Sequence, residues 1–159
     1  MRCKTILLSI LLFISFSSVF SFEKEQLNGG WLVESNYERL KNNDEYFTNT
    51  LNVIKIGSSE YYYSSVGLLI DLEKNMPEIR FNYWNRFEVK SIQKLNESCF
   101  LIEVQNKKDR KLKGSLSVKF LDSTRIIFYF HNGDEEFKNE INSYAIGENF
   151  VYRLIGKMK

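Results

Sequence analysis

Hydrophobic and polar positions alternate along much of this chain with a period of two, the spacing of a strand that buries one face. Two stretches show it most plainly. Leu116, Val118 and Phe120 alternate with Ser115, Ser117 and Lys119. Past the tight turn at Asp122-Ser123, Ile126, Phe128 and Phe130 alternate with Arg125, Ile127, Tyr129 and His131. The same period predicts strands over 30–35, 50–56, 79–84, 87–92, 100–105 and 149–156, and an extended segment over 60–72. Turn chemistry separates them: Gly57-Ser58-Ser59, a loop around the sole proline Pro77, Asn96-Glu97-Ser98, and the reverse-turn dipeptide Asn132-Gly133. The polar stretch 36–44 reads as a short helix or a loop near the N-terminus. The segment 134–147 stays open between a short helix and a strand with loops. Roughly eight to ten strands with short connections predict an all-β fold, an antiparallel up-and-down β-barrel whose closure removes exposed sheet edges.

The alternation is absent from the first residues. Arg2 and Lys4 precede an apolar run over 5–16, and Ser17, Ser18, Val19, Phe20 and Ser21 follow it. A charged start, an apolar centre and a small-residue exit predict a cleavable signal peptide over 1–21, with Val19 and Ser21 suiting the peptidase and cleavage before Phe22. The run falls short of the roughly 20 apolar residues of a spanning helix. The expectation is therefore a single domain over 22–159, secreted or periplasmic after cleavage. Cys3 leaves with the leader, so Cys99 alone remains, no intrachain disulfide can form, and Cys99 reads as a small buried hydrophobe.

Charge narrows the partners. Removing Arg2 and Lys4 from the 22 basic residues leaves 20 against 20 acidic ones, without the basic excess that non-specific nucleic-acid binding needs. The one basic cluster, Lys107, Lys108, Arg110, Lys111 and Lys113, reads as a solvated hairpin loop; its functional alternative is contact with anionic headgroups, glycans or an acidic partner. Tyr61, Tyr62, Tyr63 and Trp84 offer rigid amphipathic area of the kind binding sites use. Asn96-Glu97-Ser98 matches a glycosylation acceptor.

Candidate chemistry is sparse. His131 is the only histidine, which excludes multi-histidine metal sites, and no Gly-X-Ser-X-Gly element accompanies it. The carboxylate pairs Glu34/Glu38 and Asp71/Glu73 read as solvated charges, and Asp134-Glu135-Glu136 lacks the ligand spacing of a calcium loop. No catalytic residue, metal site or cofactor is expected, and the chain reads as non-enzymatic.

Gly29-Gly30-Trp31 opens the first strand and Arg153 sits on the last. This resembles the lipocalin and calycin pattern, in which a Gly-X-Trp motif begins the barrel and a C-terminal arginine or lysine packs across the tryptophan at the closed end. The resemblance rests on Gly29, Trp31 and Arg153 and implies a cation–π contact between the last two. It also implies a lumen that holds a small apolar or amphipathic ligand, with Phe81, Tyr83, Phe120, Phe128 and Phe130 as its lining. The alternative is an envelope or extracellular interaction domain with a filled core. Strand 126–131, apolar on both faces, fits a ligand-lined interior and ordinary packing alike.

Overall fold

The computed structural model describes residues 21–42, 67–73, 75–81, 85–144 and 146–156 of the 159. The leader through Phe20, the strand expected over 50–56, the tyrosine run, Tyr83 and Trp84 lie outside the described residues. Eight strands form a closed antiparallel barrel in sequence order: β1 (Gly29–Val33), β2 (Gly67–Asp71), β3 (Glu78–Arg80), β4 (Arg86–Asn96), β5 (Cys99–Asn106), β6 (Lys113–Asp122), β7 (Arg125–Gly133) and β8 (Val151–Gly156). The up-and-down barrel expected from the alternation is the fold observed. A 3-10 helix (Lys24–Leu27) precedes β1, α1 (Glu34–Lys41) follows it, and α2 (Glu135–Asn142) joins β7 to β8.

Local chemistry makes the hairpins. The Asn96 Oδ1 accepts from the Ser98 amide at 3.0 Å, and the Asp122 Oδ1 accepts from the Thr124 amide and hydroxyl, each at 2.8 Å. These side-chain turns reverse the chain between β4 and β5 and between β6 and β7. At the β5–β6 connection the Asn106 Oδ1 plays the same part for the amides of Lys108 and Asp109. Gly29 opens β1 at φ 149°, and an added Cβ would sit 2.5 Å from the Gly156 carbonyl oxygen, so glycine lets β1 and β8 close the barrel.

Several boundaries differ from the expectations. The first strand stops at Val33, and α1 begins at Glu34, earlier than the polar composition suggested. The strand expected over 79–84 is the short β3, with Phe81 just beyond it. Asn132-Gly133 does not turn a hairpin but ends β7. The cause lies one residue on: Asp134 caps α2, its carboxylate accepting from the Phe137 amide at 2.7 Å, which resolves the ambiguous segment as helix.

Register sorts the side chains. Trp31 pairs with Leu68 and Leu154, Ile79 with Ile70 and Phe87, Leu116 with Ile102 and Phe130, and Val118 with Phe100 and Phe128. All point inward, and most belong to one contiguous buried cluster.

Candidate functional site

The lumen is the first place to look for a ligand. Of the expected lining residues, Phe81, Phe120 and Phe128 are buried, Phe130 is half-buried, and Tyr83 lies outside the described residues. The structure brings the buried three onto one another's neighbours rather than around a space. Phe81 stacks on Tyr144 at 4.7 Å between centroids and meets Phe87 and Phe128 edge-on at 5.9 and 6.1 Å. Phe120 meets Trp31 and Phe100 edge-on at 6.4 and 6.1 Å, and Phe128 meets Tyr152 at 6.0 Å. These are the stacked and edge-to-face separations of packed aromatic cores.

Both ends are covered. At the end where β1 starts, Phe22 stacks flat on Phe120 at 4.5 Å, its amide donates to the Glu97 carbonyl, and Leu27 is fully buried. The Trp31 indole nitrogen donates to the Leu27 carbonyl at 2.8 Å, tying the 3-10 helix to the barrel floor. At the other end, Phe137 and Ile141 of α2 are fully buried, and Phe137 lies 6.0 Å from Phe130 and 6.1 Å from Phe87. The ring has room because Gly114 and Gly133 carry no Cβ: one added at Gly114 would fall 2.3 Å from the Phe137 Cε1.

The expected stacking of Arg153 on Trp31 is corrected. Arg153 pairs with Leu32 while Trp31 pairs with Leu154, so alternation sends the guanidinium outward and the indole inward. Outside, Arg153 lies 4.6 Å from the Tyr37 ring centre and 3.5 and 3.8 Å from the carboxylates of Glu34 and Glu38. The pair Glu34/Glu38 is thus engaged in docking α1 onto β8. The gain of a half-exposed group of this kind is modest.

Other candidates resolve in the same direction. His131 is exposed. Cys99 is half-buried rather than buried, and burial pushes its thiol up, away from the reactive thiolate. Among the described residues no group of three or more His, Cys, Asp or Glu side chains could hold a metal. The basic cluster does sit on the β5–β6 hairpin, but Lys107 leaves it: its ammonium bonds the Glu78 carboxylate at 2.5 Å. Arg80 engages the same carboxylate through its Nε at 2.6 Å and through a terminal nitrogen. This Glu78–Arg80–Lys107 cluster was not legible beforehand, because Lys107 lies 29 residues from Glu78 and meets it only through the pairing of β3, β4 and β5.

Among the described residues concavities remain elsewhere, one of about 320 Å³ between α1 and the start of β8. A groove of about 600 Å³ crosses β4 to β7 and is lined by Lys90, Glu103, Gln105, Lys113, Ser115 and Asn132, among others. A slot of about 330 Å³ lies between the 3-10 helix and β4, with Leu72, Pro77, Val89 and Ile92 supplying apolar surface. No family model, curated protein or solved structure matches the chain.

Proposed function

We propose that this chain is an exported, non-enzymatic binding protein, lipocalin-like in build, that engages a macromolecular partner with the outside of a filled barrel. One observation carries the reading. Residues that would line a ligand cavity instead contact one another ring to ring, beneath plugs at both ends. A lumen occupied by its own side chains leaves the exterior concavities and the hairpin tips as contact surface. Export rests on the leader pattern, with the mature chain starting at or near Phe22. Equilibration with an apolar fluorophore tests the lumen. Native protein is expected to show no saturable uptake, and mass spectrometry of the purified protein no stoichiometric small molecule.

The small-ligand reading keeps one specific support. Tyr152 faces the lumen at 3% exposure, and desolvation pushes its hydroxyl well up. A bound molecule with an oxygen beside Tyr152 would accept a hydrogen bond from that hydroxyl. Stoichiometric recovery of such a molecule would move the function into the lumen.

A further inference from the structure

We infer that the slot between the 3-10 helix and β4 is a peptide-binding site, in which a short extended segment of another protein adds to the edge of β4. The proposal rests on the exterior-binding reading and names its site. The evidence begins with a mismatch of strand lengths. β4 runs from Arg86 to Asn96, yet β3 pairs with it only at Arg86, Phe87 and Glu88. One further bond, from the Val89 amide to the Pro77 carbonyl, extends the contact. At the far end the Phe22 amide reaches the Glu97 carbonyl, and the Lys94 ammonium bonds Glu23. Between these brackets, over 90–93, β4 pairs with β5 on one side at Ser91, Ile92 and Gln93, the register shifting at Lys90, and among the described residues no strand or backbone bond meets its other side. Four residues of strand span about 13 Å.

An unpaired strand edge presents alternating donors and acceptors that only another extended backbone matches in register. The slot faces this edge. Lys24, Glu25 and Asn28 form its opposite wall, and Leu72, Pro77, Val89 and Ile92 supply apolar contact. The wall is held in place, since the Asn28 side-chain oxygen accepts from the Leu72 amide at 3.0 Å. A volume of about 330 Å³ is at the small end of ligand sites and suits about three residues. A second copy of this chain is the poorer occupant. Antiparallel pairing of two β4 edges would bring Lys90 and Lys94 of each copy together, and such lysines disfavour edge-to-edge association. The occupant is therefore a heterologous segment, extended, with an apolar side chain on the face that meets Ile92 and Leu72.

The test uses a fluorescein-labelled peptide of alternating threonine and valine, about six residues long, and the same peptide N-methylated at alternate residues. The expected result is saturable binding of the first by fluorescence anisotropy. Alternate N-methylation should weaken it about tenfold or more by removing the donors that face the edge. Amide hydrogen exchange should slow at 90–93 on binding and not along β6 or β7. Leu72→Ala, with its fold verified by circular dichroism, should weaken binding several-fold. Equal binding of both peptides, no binding by the folded wild-type protein up to millimolar concentration, or protection of 90–93 by self-association at raised concentration would each overturn the proposal. Cross-linking of a partner to the β4–β7 groove, with 90–93 unprotected, would overturn the slot while leaving exterior binding intact.

Discussion

Glu78 is a carboxylate on the outward side of a strand with 2% of its surface exposed. Burial alone would raise its pKa. The hydrogen bonds from Lys107 and Arg80, with their charges, outweigh that and hold the carboxyl below the usual range. A group whose folded pKa is depressed adds stability above its unfolded pKa and loses it as pH falls through the folded value. Stability should therefore be flat above about pH 5 and decline below it as Glu78 takes up a proton. Glu78→Gln should lower stability at neutral pH by about 3–5 kcal/mol, because Arg80 stays buried opposite a lost charge. It should also flatten the acid limb of a denaturation series. An acid limb unchanged in the variant would show that other carboxylates set it. At this scale the sequence singled out residues and did not tell what each touches. Trp31 and Arg153 were legible as the notable residues of the first and last strands. Their separation was hidden because it depends on a β1–β8 register that shifts between Gly30 and Trp31.

Elements were legible where alternation was unbroken. β6 and β7 lie where the pattern places them, with Leu116, Val118 and Phe120 paired to Phe130, Phe128 and Ile126. α2 was not legible, since its eight residues carry only Phe137 and Ile141 as buried apolar positions, too few to distinguish a helix from a strand. Those two residues nonetheless seal one end of the barrel. Gly114→Ala is expected to destabilise the fold by about 1–3 kcal/mol, as overpacking does, because the new methyl meets both the Phe137 ring and the Asn132 carbonyl. Urea denaturation measures it, and Phe137→Leu in the same chain should recover part of the loss. The α1 dock is a contrasting case. Arg153 is about a third exposed where it meets Tyr37, Glu34 and Glu38, so Arg153→Lys should cost under about 1 kcal/mol in the same assay.

For the molecule as a whole, binary pattern predicted a barrel, and the lipocalin-like resemblance named Phe81, Tyr83, Phe120, Phe128 and Phe130 as the lining of a ligand lumen. Alternation decides direction, whereas the space left inside depends on strand lengths and on which segments fold over the ends, neither of which the pattern encodes. Phe22, from the predicted mature N-terminus, and Phe137, from the segment read two ways, became the plugs. Phe137→Ala should therefore convert the filled barrel into one that takes up an apolar fluorophore, at a stability cost of about 3–5 kcal/mol. Absence of uptake in a folded Phe137→Ala protein would mean that the lumen collapses rather than opens.

The seam between β1 and β8 bears on how the chain reaches this state. β4 to β7 are joined by turns of a few residues and can assemble as successive hairpins, each with a small loop-closure entropy. β1 and β8 stand at opposite ends of the domain, and their pairing, Trp31 with Leu154 and Leu32 with Arg153, confines nearly the whole chain at once. Topology therefore predicts that the seam forms last in folding. Until it forms, the nascent meander carries two open flanks that can recruit other copies. The kinetic hazard of this protein, and the point at which an assisting factor would act, lies at the junction that completes the ring.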